Sequence, residues 1–383
     1  MPDSAGPTVV TAISAGLGAT CALVNDARVA CWGENASGEV GDGTTVERLR
    51  PVTVPVAGAV VAVGVGGYPT SGAHACALLA GGGAQCWGAG DAGQLGVALD
   101  PSGPSTSPPI AVAGLAALDT AQGPIDGGVA MVASGAAFTC ATRGGAVYCW
   151  GSNEIGQLGD DTNESRSTPA PVSGLTGVRA LVAGRMHACA IGREGAVCWD
   201  SNNAGQLGVY GLGATGSARP QRVSGGSDAV ALAAGDLHTC MLRANGRVMC
   251  WGNNGSFQLG TGDNNSRGTP GNVWALDPKV DADAGAVVSI AAGTRHTCAL
   301  FANGAAKCWG ANNSGQLGDG SNIDQASPVP VRALANGSDA RALTLGARHS
   351  CALFVGTVKC WGEGARLGDG ASTPSSDPVP VAF

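Results

Sequence analysis

The sequence predicts an all-β repeat domain assembled from seven similar units of four short strands. Three observations carry that reading. All 14 cysteines fall into pairs nine or ten residues apart: Cys21 with Cys31, Cys76 with Cys86, Cys140 with Cys149, Cys189 with Cys198, Cys240 with Cys250, Cys298 with Cys308, and Cys351 with Cys360. Every second cysteine is followed by a tryptophan, and of the 8 tryptophans only Trp274 lies outside that pattern. Finally, 64 glycines accompany 44% hydrophobic and only 13% charged residues, which suits short strands joined by tight turns and excludes a disordered chain.

Each unit can be taken strand by strand, with the sixth as the example. Strand A is an apolar run ending in glycine, Val287 to Gly293, and strand B is His296 to Phe301. Strand C is Ala305 to Trp309, and strand D is the Pro-Val-Pro-Val segment at 328–331. Alternation sets His296, Cys298 and Leu300 on one face of strand B, with Thr297 and Ala299 on the other. Both faces are apolar or small, so both are expected to be covered, as stacking one unit on the next would do. The B–C connection follows from arithmetic. Pairing Cys298 with Cys308 pairs Leu300 with Ala306 and leaves Ala302-Asn303-Gly304, a three-residue loop with glycine in the left-handed position. Pairing Cys140 with Cys149 leaves the two-residue turn Gly144-Gly145. Either spacing keeps the two cysteines opposite each other.

The totals narrow the function. The 383 residues carry a net charge of −7 and show no Lys/Arg cluster, so no nucleic-acid partner is expected. No run of apolar residues is long enough to span a membrane as a helix. The start, MPDSAGPTVV, lacks the basic region and apolar stretch of a signal peptide; an exported protein would have lost that segment. The Gly/Ala-rich composition suggests a bacterial source.

The repeated residues also resemble a known family. Gly-x-x-His stands before strand B, Trp-Gly after strand C, and then Asn-x-x-Gly-Gln-Leu-Gly. The last part stands here as Asn203…Gly205-Gln206-Leu207-Gly208 and Asn313…Gly315-Gln316-Leu317-Gly318. Over essentially the whole chain this resembles the repeats of the regulator of chromosome condensation family. The resemblance implies a single seven-bladed β-propeller of four-stranded antiparallel blades. The blades are expected at about 8–56, 57–113, 129–174, 175–224, 225–276, 286–334 and 340–383. Departures from the repeat are Gly38-Glu39-Val40-Gly41 in blade 1, Trp199-Asp200 in blade 4 and Ala365-Arg366-Leu367-Gly368 in blade 7. Two cysteines per blade are likewise not general in the family. The chain starts on a strand A and ends on a strand D, so the ring is expected to close by packing blade 1 against blade 7.

Two uses of the cysteines are open. Directly opposed residues of an antiparallel pair lie within disulfide range, giving one bridge inside each blade and an oxidising compartment. Alternatively, His296, Cys298 and Cys308, with their counterparts, form a His-Cys-Cys metal site. All five histidines, His74, His187, His238, His296 and His349, precede a first cysteine by two residues, but Ala19 and Phe138 take that place in blades 1 and 3. Loss of the histidine where both cysteines stay favours the bridge, and no metal or cofactor is expected. The histidines themselves are expected to bond backbone between strands or blades.

Function is then expected in loops. The C–D loops are long and individual: Gly43–Arg50, Val97–Pro108, Asp160–Thr168, Val209–Arg219 and Gly260–Thr269. Glu47, Arg48, Arg50, Arg166, Tyr210 and Arg267 are the binding candidates there, joined by Tyr68 from an enlarged A–B loop, Val65–Ala73. The opposite face carries the insertions Leu115–Gly128 and Leu276–Gly285. No phosphate-binding Gly-Lys-Ser loop, His-Glu-x-x-His or nucleophile elbow occurs. Gly-Asp-Gly at 41–43, 318–320 and 368–370 supplies too few oxygens for calcium. The expected protein is therefore an exported, monomeric, non-enzymatic propeller that binds a protein through one loop face. A lectin or enzyme using the central opening, or an envelope or filament component, is the alternative.

Overall fold

The computed structural model describes residues 8–25, 27–97, 106–115, 131–277, 285–334 and 338–383. Within them the strands form seven four-stranded antiparallel sheets, each in the order A-B-C-D. The insertion at 116–128, most of the one at 276–285, and 98–105 of the second C–D loop lie outside the described residues.

In blade 6 the strands are Val287–Ala292, His296–Phe301, Ala306–Gly310 and Gln325–Pro330. Cys298 faces Cys308 and Leu300 faces Ala306, the register the hairpin arithmetic requires. The loop glycine Gly304 has φ 80°, and Gly144 and Gly145 have φ 57° and 76°, the left-handed pair that a two-residue turn needs. Strand D starts three residues earlier than Pro328. Gly310, at φ 103°, shifts the C–D register so that it pairs with Gln325. The chain-level alternation does not reveal that shift.

Every cysteine pair expected from the spacing is a disulfide. Cys21 is bonded to Cys31 in blade 1, Cys76 to Cys86 in blade 2, Cys140 to Cys149 in blade 3 and Cys189 to Cys198 in blade 4. Cys240 is bonded to Cys250 in blade 5, Cys298 to Cys308 in blade 6 and Cys351 to Cys360 in blade 7. The Cα–Cα distance is 4.1 Å in each, because the two residues of every pair face each other across strands B and C.

The core lies between blades rather than within them. One cluster joins Cys240, Val248 and Cys250 of blade 5 to Val287, Phe301 and Trp309 of blade 6. The blade tryptophans are fully buried, each with its indole N–H donated to a carbonyl of the preceding blade. Trp150 donates to Gln94 O, Trp251 to Gln206 O and Trp361 to Gln316 O. Trp32 of blade 1 donates to Arg366 O of blade 7 in the same way, at 3.1 Å.

Among the described residues the ring closes as expected, by packing blade 1 against blade 7, with no strand shared between them. Ala347 N donates to Leu17 O and Gly370 N to Leu49 O, and the Phe383 ring meets Trp32 edge-on at 5.8 Å between centroids.

Blade 4 carries the strained departure. Asp200 keeps the left-handed φ, 85°, that glycine has in the other blades. It is fully buried and neither carboxyl oxygen has a hydrogen-bond partner among the described residues. Burial pushes its pKa up to about 9, so the group is neutral at pH 7.

Candidate functional site

The repeated polar side chains are spent inside the fold. Each buried histidine bonds a hydroxyl of the next blade, not the backbone the sequence suggests. His74 Nε2 meets Thr139 Oγ1 at 2.8 Å, His187 meets Thr239 at 2.9 Å, and His296 meets Ser350 at 2.9 Å. In four of the five pairs the hydroxyl then donates to the turn carbonyl of its neighbour: Thr139 to Gln94 O, Thr239 to Gln206 O, Thr297 to Gln258 O and Ser350 to Gln316 O. A hydroxyl has one proton, so the histidine must be the donor from Nε2, which fixes its tautomer. Nδ1 stays without a partner, and burial lowers the pKa of all five rings to about 3 or 4. With sulfurs bridged and Nε2 bonded to hydroxyls, the His-Cys-Cys trio offers no metal donor set.

The Asn-x-x-Gly-Gln-Leu-Gly turn anchors the C–D loop by the same economy, and its asparagines are Asn202 and Asn312, each one residue before the Asn203 and Asn313 read from the sequence. Asn312 Oδ1 accepts from Leu317 N, while its Nδ2 donates to Asp319, Ser321 and Ile323. Asn153 repeats this with Leu158 N, Asp160, Thr162 and Glu164. Loop carboxylates in turn hold three nominated arginines. Arg48 pairs with Asp42 at 2.5 Å, Arg166 with Asp160 at 2.8 Å and Arg267 with Asp263 at 2.9 Å. Burial opposes the charge on Asp42 and Asp160, but bonds from Thr44, Thr162 and the arginines outweigh it and hold both below the usual carboxylate range. The Arg267 bond holds Asp263 well below it. Glu47 and Arg50 are exposed, and Tyr210 is 86% exposed.

Tyr68 lies elsewhere than a loop. Strands A and B of blade 2 extend to Val60–Tyr68 and Gly72–Leu79, pairing Tyr68 with Gly72. The hairpin leans over the central channel, where the Arg185 guanidinium of blade 4 covers the Tyr68 ring at 3.6 Å. Beneath this lid the channel, about 220 Å³, is walled by strand A residues such as Val65, Ala183, Leu232 and Ile290. No ionisable side chain lines it among the described residues.

Beside the lid, on the same A–B and C–D face, opens a cavity of about 690 Å³. Its charged walls are Glu34, Glu39, Glu363 and Arg366 of the segments after strand C in blades 1 and 7, Arg295 and Arg348 of the A–B loops, and Asp324 of the blade 6 C–D loop, which accepts from Asn312 N. Arg366, 9% exposed, lies between Glu34 and Glu363 at the junction of blades 7 and 1. Arg348 is 3.9 Å from Glu363. In the sequence Glu39 and Arg366 stand only as broken motifs, and the ring brings them to one mouth. Glu34, Glu363, Arg295 and Arg348 gave no signal, because single charges on loops are ordinary surface.

Stacked four-stranded blades, a capped channel and a charged mouth define a loop-face propeller. The RCC1-like domain model matches residues 84–383, and the regulator of chromosome condensation (RCC1) repeat model matches 10–39. The chain belongs to the RCC1-like family. It is 30% identical to the ultraviolet-B receptor UVR8 of Arabidopsis thaliana over 98% of this chain and 82% of that one. It is 28% identical to the human E3 ubiquitin-protein ligase HERC2 over 86% of this chain, which spans only 7% of HERC2. Yeast Prp20, the yeast RCC1, shares the fold. Its structure bound to Kap60 superposes with a TM-score of 0.76 at 21% identity, over 98% of this chain and 85% of Prp20. A second, described with its binding properties to Gsp1p and histones, gives 0.72 at 22%, over 91% and 82%.

Proposed function

We propose that this chain is a non-enzymatic scaffold that docks a protein through the A–B and C–D loop face, around the 690 Å³ mouth. One observation carries the reading. The repeat-invariant side chains are consumed between blades, whereas the departures Glu39 and Arg366 converge on one accessible cavity. Arg366 holds the blade 7–1 junction through Glu34 and Glu363, whereas Glu39 forms no ion pair among the described residues and, with the exposed Arg295 and Arg348, leaves the mouth charge for contact with something else. Prp20, described as binding Gsp1p and histones, offers a fold-level analogy. The nominated Glu47, Arg50 and Tyr210 project from the same set of C–D loops and serve as the outer part of the surface.

The seven disulfides support placing the protein outside the cytosol, in a secreted, periplasmic or cell-surface setting. The net charge of −7 supports a protein partner over nucleic acid. The test is cross-linking of the wild-type chain and the Arg295→Glu/Arg348→Glu variant in the secreted fraction of the source organism. One stoichiometric protein lost with the variant is expected. Equal capture by both chains would move the interface off this face.

A further inference from the structure

Blade 2 departs from the repeat at the top of its first hairpin. In the other six blades strand A stops just before the A–B glycine, as at Ala183 and Ala292, and strand B begins three residues beyond that glycine. Here strand A runs on to Tyr68 and strand B starts at Gly72, with Pro69 and Thr70 exposed at the tip. The extension lies flat on blade 3. Gly67 N donates to Gly135 O at 2.9 Å, and Ser71 Oγ donates to Ala136 O at 3.2 Å. A Cβ on Gly66 would meet Gly135 O and Ser134 O at 2.5 Å, so the close approach needs glycine there.

The residue after the A–B glycine decides what the tip can reach. That position is Leu17, Gly67, Ala136, Thr294 or Ala347 in five blades, and carries a charge only in blades 4 and 5, as Arg185 and Asp236. Both line the throat of the channel together with Tyr68. The Arg185 guanidinium lies 3.6 Å from the centre of the Tyr68 ring. Its backbone N–H donates to Asp236 O at 3.3 Å, yet its Nε stops 3.9 Å from Asp236 Oδ1, beyond hydrogen-bond range. Both atoms are buried, and neither has a hydrogen-bond partner among the described residues. The Asp236 side chain is 9% exposed; burial raises its pKa, with Arg185 and Arg295 opposing the rise. One guanidinium therefore stands between two partners. Stacked on Tyr68, it leaves a buried carboxylate oxygen and its own N–H unpaired. Turned to Asp236, it would gain a charge-assisted bond and give up the ring. Two discrete arrangements of one side chain make a switching element.

We propose that Tyr68 and Arg185 form the latch of a lid. The blade 2 hairpin closes the loop-face end of the channel while Arg185 stacks on Tyr68, and lifts when Arg185 pairs with Asp236. Behind the lid the walls are aliphatic and carry no ionisable side chain among the described residues, so the open lid admits small uncharged molecules. Tyr68 and Pro69 also border the charged mouth, and a molecule seated there touches the lid. The latch depends on the throat geometry alone and holds whether or not the mouth docks a protein.

Hydrogen exchange over 65–73 reads the opening, because Gly67 N–H and the paired amides of the extension are freed when the hairpin lifts. Rates are taken relative to strand His296–Phe301 in the same chain, which separates a change in the lid from one in the whole ring. Tyr68→Ala should speed the exchange about tenfold, and Tyr68→Phe, which keeps a ring under the guanidinium, should leave it near wild type. Asp236→Asn should slow it, since the open lid then loses its ion pair. An unchanged rate in Tyr68→Ala overturns the latch. A faster rate in Asp236→Asn overturns it too, because the carboxylate would then be holding Arg185 on the ring instead of drawing it away.

Discussion

His349 Nε2 lies 2.7 Å from Thr20 Oγ1, although 329 residues separate them in the chain. This bond crosses the junction between the last blade and the first, and it repeats what His238 makes with Thr297 inside the ring. The pairing follows a rule legible in the residue after each histidine position. Where a blade has His, the next has Thr139, Thr239, Thr297, Ser350 or Thr20; where blades 1 and 3 have Ala19 and Phe138, the next have Ala75 and Ala188. A hydroxyl is kept only where a histidine reaches it.

That rule gives a double-mutant cycle. Thr20→Ala strands the buried Nε2–H of His349 and should lower stability by about 1–3 kcal/mol. Adding His349→Ala should recover part of that loss, because the Ala19/Ala75 junction already packs without the pair. Urea unfolding of the four chains measures the coupling. Strict additivity would refute a shared bond.

Asp200→Gly should stabilise the protein. It relieves a left-handed backbone at a non-glycine residue and removes a buried carboxyl without partners, together about 2 kcal/mol or more. The gain should depend on pH. The native group keeps its proton up to about 9 while the unfolded chain loses it near 3.8, so native stability falls as pH rises between these values. The difference in unfolding free energy between wild type and Asp200→Gly should therefore widen by up to about 1.4 kcal/mol per pH unit. A flat difference would mean that the carboxyl is solvated.

Acid should act in the opposite direction and more strongly. The five histidines are neutral in the fold, with pKa values lowered to about 3 or 4 from 6.5. Below 6.5 the unfolded chain takes up protons that the native state refuses, so stability drops as pH falls toward 4, by roughly 1.4 kcal/mol per unit for each histidine. Chemical unfolding at pH 7, 6 and 5 reads the slope. Converting one junction to the blade 3 type, His74→Phe with Thr139→Ala, should remove about one fifth of it. An unchanged slope would show that the rings titrate normally.

The disulfides make two expectations. Intact mass should rise by 14 hydrogens on reduction, since none of the described cysteines is free. Replacing Cys298 and Cys308 together by alanine should cost about 2–3 kcal/mol, with the neighbouring blades still folded. A Tm equal to wild type would remove the bridges from the account of stability.

Much of the fold was legible because it is written seven times. The register of Cys298 with Cys308 and the Gly144-Gly145 turn could be counted out along the chain, since local pairing fixes both. Residues whose meaning depends on the neighbouring blade were harder. Thr139 looks like any strand threonine until His74 is placed beside it. Arg48, Arg166 and Arg267 stood out as candidates for an outside partner, yet the loops fold each onto its own carboxylate. The mouth is a sum over blades 5, 6, 7, 1 and 2, and no window of sequence contains it.

The closure of the ring has one more consequence. Because each sheet is made of consecutive strands and the 7–1 junction carries the same indole and histidine bonds as the 2–3, 4–5, 5–6 and 6–7 junctions, the ring can be cut between any two blades. A circularly permuted chain, joined from 383 to 8 by a short linker and opened between 174 and 175, keeps every sheet whole. Such a chain should fold to the same ring with its mouth intact, as thermal unfolding and circular dichroism beside wild type would show.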